Sequence, residues 1–202
     1  MKKTVSVQKM TAAALLIAVG IIIPAFSPLK ILLEPASFTL ASHVPIFLSM
    51  FISPLTAVAV SVGTTLGFFL GGFPLVVVLR AASQLIFAVV GAILLQKVPG
   101  IVGSFAKMLL FSFGIGLLHA VGEIAVVFPF YFGGNMAPGY YGQSFWVTVM
   151  GLVGLGTLVH SMLDFAIAQG ILKAISRQKA LGKLFQHNPY AFKTTPTAPA
   201  AK

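Results

Sequence analysis

Arg80 is a lone charge inside the apolar run Phe73-Pro74-Leu75-Val76-Val77-Val78-Leu79-Arg80-Ala81-Ala82-Ser83. A guanidinium stays protonated in any protein setting, and burying one in hydrocarbon costs on the order of 3 kcal/mol even on the gentlest scale. Such a residue snorkels to the interface, pairs with an acid, or lines a wet cavity where it binds an anion. Pro74 opens the run about 9 Å away at about 1.5 Å per helical residue, so partial snorkelling is within reach. Two further sets of residues could do chemistry. His119/Glu123 and His160/Asp164 each have i, i+4 spacing, which puts both side chains on one helix face. Together they could offer four N/O ligands to a metal, tie helices together by hydrogen bonds, or relay a proton.

The elements that must position these groups are membrane spans. The 202 residues are 58% hydrophobic and 8% charged, with a mean hydropathy of +1.02. A soluble domain carries about 25% charged residues. The three acids are Glu34, Glu123 and Asp164, too few to coat a water-exposed surface. This is the composition of an all-α integral membrane protein, and the length suits a compact bundle of six spans at about 20 residues each. With no cysteine, disulfides and thiolate chemistry drop out. The formal charge of +10 does not point to nucleic acid, because the basic residues flank apolar spans instead of forming one face. Lys2 and Lys3 resemble the start of a secretory signal, yet no small-residue cleavage site follows, and the segment reads as the first span.

In chain order, a basic lead over 1–9 precedes a six-span domain over 10–176, and a basic tail over 177–202 reads as disordered. The spans are expected at 10–26, 38–51, 55–70, 74–95, 108–128 and 144–175, with Pro54 and Pro74 opening the third and fourth. Ala14 and Ala18 form a small-x-x-x-small pair that permits close helix approach. Gly63 and Gly67 give the third span a smooth face. Six spans put both ends of the chain on one side. That side holds three Lys/Arg in the lead, two between 96 and 107 and six beyond Ile171, against Lys30 alone on the other. This bias makes both termini cytoplasmic.

Topology then assigns depth. Glu34, His43, Arg80, Glu123, Tyr131 and Asn135 fall in the outer third of the membrane and suggest an outward-facing pocket. An Arg80–Glu123 structural ion pair is the plainer alternative, and the two are compatible. By the same counting Asp164 falls in the inner half, so the two His/acid faces disagree in depth. That argues against a shared metal and for His160, Asp164 and His119 as structural polar groups, with a proton relay left open. No Ser/His/Asp set shares a depth, and no HExxH or phosphate-cradling loop occurs, so no enzyme and no cofactor is expected. The 129–143 loop, with Gly133, Gly134, Pro138 and three tyrosines, is expected to be a mobile lid.

The span count, the basic tail and the Ala14/Ala18 pair resemble the substrate-binding membrane subunit (S component) of an energy-coupling factor (ECF) vitamin transporter, across residues 8–176. Glu34-Pro35-Ala36-Ser37-Phe38-Thr39-Leu40-Ala41-Ser42-His43-Val44-Pro45 and Gly71-Gly72-Phe73-Pro74 with Leu79-Arg80-Ala81 look most similar to the niacin-transporter branch, with the pantothenate branch the near rival. The resemblance implies a bacterial plasma-membrane protein that captures a vitamin near the outer face. It implies docking through Ala14 and Ala18 on a coupling subunit that works with two ATP-binding subunits, and lids from the first, third and fifth loops. For nicotinate, Arg80 offers a bidentate fork to the carboxylate, while Phe73, Tyr131, Tyr140, Tyr141 and Trp146 offer stacking surfaces. A different class of function, a stand-alone transporter carrying a proton on His119, His160 and Asp164, also fits the composition.

Overall fold

The structure is a computed structural model that describes residues 6–33, 36–136 and 138–190. Its elements are α1 (Val7–Phe26), a hairpin of β1 (Lys30–Leu33) and β2 (Ala36–Thr39), then α2 (Val44–Ile52), α3 (Pro54–Leu70), α4 (Leu75–Lys97) and α5 (Phe105–Phe132). A 3₁₀ turn (Pro138–Tyr141) and a π-helical stretch (Trp146–Leu155) lead into α6 (Gly156–Ile175), followed by the short α7 (Lys179–Gly182). Among the described residues, four helical stretches are long and apolar enough to cross a membrane: α1, α4, α5 and the continuous 30 residues Trp146–Ile175. α3, at 17 residues, is apolar and somewhat shorter.

The expected second span is different in kind. Phe38 and Thr39 belong to a strand, and helix begins only at Val44. All nine residues of α2 are buried. At about 1.5 Å per residue α2 is about 14 Å long, half of a roughly 30 Å hydrocarbon core, so it is a half-helix enclosed by the others. Ser53 ends it and caps α3 in turn, its hydroxyl accepting from the Thr56 backbone N–H, with Pro54 at the first helical position.

The space beyond the buried end of α2 is filled by the chain's C-terminal segment. The His187 backbone N–H donates to the Phe51 carbonyl. Phe185 and Asn188 are buried, and Asn188 donates to Ser176 Oγ. Residues 185–188 are therefore packed against the bundle, where the sequence suggested a disordered tail from 177 onward; 191–202 lie outside the described residues. Lys9 and His187 are close enough to interact electrostatically, which puts both ends of the described chain at one end of the bundle. The hairpin, the Gly71–Pro74 turn and the loop after α5 occupy the opposite end.

Small residues bring α1 and α3 together, as the glycine spacing suggested. A methyl group on Gly63 would meet Ile17, and one on Gly67 would meet Ile21. Ala14 and Ala18 on α1 are exposed. Gly72 takes φ +74° in the turn into α4, a conformation that glycine adopts without strain.

Candidate functional site

The hairpin is the element the sequence concealed. Residues 27–37 read as a loop because prolines punctuate them, but Lys30 pairs with Thr39, Ile31 with Phe38, Leu32 with Ser37 and Leu33 with Ala36 in antiparallel register. The chain then turns through Leu40–His43 into α2, with Ala41 at φ +69°. A non-glycine residue in that region costs of order 1 kcal/mol and persists only where its surroundings impose it.

Asp164 imposes it. Its Oδ1 accepts from the Ala41 backbone N–H at 2.7 Å and its Oδ2 from the His43 backbone N–H at 2.9 Å. His43 Nδ1 lies 3.1 Å and His160 Nε2 3.4 Å from the same Oδ2. Ala41 and His43 belong to the turn that leads into α2, so a fully buried carboxylate on α6, 121 residues from His43, fixes that turn and with it the place where α2 starts.

A second polar knot lies beside the first. Arg80 donates to Glu123 Oε2 through Nε at 3.1 Å and Nη2 at 2.7 Å. Thr157 Oγ1 donates to the same oxygen at 2.7 Å. His119 Nε2 is 3.4 Å from Glu123 Oε1. His43 joins the two knots: its ring meets His119 edge-on at 4.7 Å and His160 at 5.0 Å between centroids. Glu123 and Asp164 thus flank one continuous network, where helical counting had separated them in depth. Three features account for the difference. α5 continues to Phe132, so Glu123 sits nine residues from its end. The π-helical stretch is wider than an α-helix and advances less per residue, which holds Asp164 closer to the hairpin end. The turn after the hairpin also carries His43 inward to meet both acids.

The two carboxylates and three histidines have the composition of metal ligands, and two triads, His43/His119/Glu123 and His43/His160/Asp164, place donor atoms within 4.8 Å of one another. The ring nitrogens of His119 make no hydrogen bond among the described residues, but the carboxylates are already engaged. Asp164 spends both oxygens on backbone N–H groups, Glu123 Oε2 takes Arg80 and Thr157, and the guanidinium at 2.7 Å opposes a second cation. The arrangement works as an internal frame.

Over this frame opens a cavity of about 270 Å³, near the small end of the roughly 300–1,000 Å³ usual for ligand pockets. Phe38, Phe68 and Phe73 are its aromatic walls, and Phe68 and Phe73 lie 4.6 Å apart between ring centroids. Arg80 and Lys30 reach it as cations, and Ser42, His43, Gln84, Glu123, Thr157 and His160 line it as polar groups. Of the residues singled out from sequence, Arg80, His43, Glu123, Phe73 and His160 meet there. Tyr131, Asn135 and Trp146 lie elsewhere: Tyr131 packs against Tyr141 and Phe145, Asn135 is exposed, and Trp146 is 72% exposed on the outer wall. Glu34 lies outside the described residues.

The sequence reading missed Lys30, Phe38, Gln84 and Thr157. Gln84 was within reach, since it follows Arg80 by four residues; Lys30 stood out as the only basic residue assigned to its side. The covering element also changes. Lys30, Phe38 and Thr39 of the hairpin line the cavity, and none of the described residues of 129–143 does. On ligand binding, amide exchange is expected to slow across 30–33 and 36–39 and to change little across 133–136. The reverse pattern would return the lid to the longer loop.

The fold is a helical bundle with stretches able to cross a membrane, a half-helix held inside it, and a cation-bearing aromatic cavity beneath a hairpin. Over 175 residues the chain is 40% identical to the niacin transporter NiaX of Lactococcus lactis subsp. cremoris (strain MG1363), a match covering 87% of this chain and 78% of the relative. It belongs to that family, the niacin-transporter branch of the S components. No protein-family model and no solved structure matches the chain.

Proposed function

We propose that the chain is the vitamin-capture subunit of an ATP-driven ECF-type importer, binding nicotinate at the outer face of the bacterial plasma membrane and doing no chemistry on it. The observation that carries this reading is the pairing of Arg80 with Glu123, which also accepts from Thr157, at a cavity walled by phenylalanines, with Lys30 as a second cation. Glu123 offsets one of the two positive charges, and an anionic ring compound supplies the rest. The similarity to a protein named for niacin transport supports the choice of vitamin. Pantothenate, longer and with an amide and two hydroxyls, suits a compact cavity of about 270 Å³ less well.

Apart from Lys30 and Arg80, the described basic residues lie toward the end opposite the cavity, which supports an outward-facing site. Titration calorimetry of the purified protein in detergent tests the reading: nicotinate should bind and pantothenate should not. Binding of pantothenate alone would overturn the choice of vitamin, and binding of neither would overturn the site.

The histidine–carboxylate network keeps a second reading alive, a proton-coupled transporter that works alone. Vesicles holding only this chain and an imposed proton gradient separate the two. Concentrative uptake there would remove the capture-subunit reading. Partner docking has its own test. Ala14 and Ala18 are exposed on α1, so Ala14→Trp or Ala18→Trp should leave nicotinate binding unchanged and stop uptake in cells, because bulk blocks close helix approach. Uptake that survives both substitutions would place the docking surface elsewhere.

A further inference from the structure

We propose that Gln84 reads the ring nitrogen of a pyridine carboxylate held in the cavity, an inference that rests on the nicotinate reading above. Gln84 is one turn from Arg80 on α4, and residues at i and i+4 lie on one helix face. It is only 8% exposed, and what it faces is the cavity. Among the described residues its carboxamide makes no side-chain hydrogen bond. Buried amides are nearly always paired, so an unpaired one at the wall of a binding cavity is a group waiting for its partner.

The chemistry selects that partner. A pyridine nitrogen accepts a hydrogen bond and donates none; the Gln84 amide carries two N–H donors. Lys30 and Thr39 also line the cavity without a side-chain hydrogen bond, but they belong to the hairpin and not to the Arg80 face of α4; the other polar groups besides Thr64 are engaged. His43 and His160 are bound to Asp164 and Ser42, and Thr157 donates to Glu123. Thr64 also lacks a partner for its hydroxyl, but it is packed against α1, where a methyl group on Gly20 would meet that oxygen at 2.8 Å. One helical turn, about 5.4 Å, is comparable to the reach from a carboxylate across a six-membered ring to its nitrogen. A carboxylate on Arg80 therefore brings a ring nitrogen to Gln84.

The test is a ratio, which separates this role from general damage. Affinities of nicotinate and of benzoate, which has the same shape but no ring nitrogen, are measured by competition on the purified full chain. The wild type should prefer nicotinate by about tenfold to a hundredfold, the range for leaving a buried donor unpaired. Gln84→Leu should bring the ratio close to one by weakening nicotinate while benzoate binding persists, and Thr64→Val should keep the preference. Gln84→Met gives the same readout if the leucine variant does not fold. A Gln84 variant that keeps the full preference, or a wild type that binds both acids equally, overturns the role of Gln84 and leaves the nicotinate site standing. A wild type that binds neither acid overturns the nicotinate reading and this inference together.

Discussion

Replacing Asp164 by alanine is expected to cost about 3–5 kcal/mol of stability, the range for removing one partner of a buried charged pair. The loss has three parts. The Ala41 and His43 N–H groups at the head of α2 lose their acceptor, His43 loses the group that orients its ring, and the strained Ala41 backbone loses its restraint. In a chain of this length the melting temperature in detergent should fall by on the order of 10 °C. Asp164→Asn should fall between, because it keeps one oxygen acceptor and loses the charge. An alanine variant with the wild-type melting temperature would show that the carboxylate does not pin the half-helix.

Arg80→Ala is expected to weaken nicotinate binding by at least about a hundredfold, in line with the loss of a charged hydrogen-bonding partner from a buried site. The same change strands Glu123, so a drop in stability would accompany it and confuse the reading. The double variant Arg80→Ala/Glu123→Gln separates the effects. Removing both charges should restore the fold and leave binding absent, because the anion's partner is still missing. Recovery of binding in the double variant would make Arg80 a purely structural ion-pair member. Arg80→Lys should also bind weakly, since an ammonium cannot present the planar fork.

How much of this was legible in the sequence depends on which force fixes each part. The long apolar helices and the α1–α3 glycine contact follow from composition and spacing, which act locally. Arg80 and Glu123 were found because a charge in an apolar run is costly wherever it lies. The half-helix was not legible. Residues 38–51 are apolar enough to span, and only the carboxylate of Asp164, 121 positions downstream of His43, marks where the helix starts. The shared depth of Glu123 and Asp164 was hidden for a similar reason: counting turns assumes α-helical rise, and Trp146–Leu155 is a π-helix. The loop tyrosines and Trp146 were chosen as amphipathic aromatics near an interface. In the fold Tyr131 packs against Tyr141 and Trp146 meets Phe145, while Phe38, Phe68 and Phe73 wall the cavity.

The central claim is that the cavity on Arg80 beneath the hairpin is where the vitamin binds. A structure of the protein with nicotinate bound tests it most directly. The carboxylate should sit within hydrogen-bond distance of Arg80, with the ring among Phe38, Phe68 and Phe73 and its nitrogen toward Gln84. Nicotinate found instead against Tyr131, Asn135 or Trp146, with the Arg80 cavity unchanged, would contradict the account.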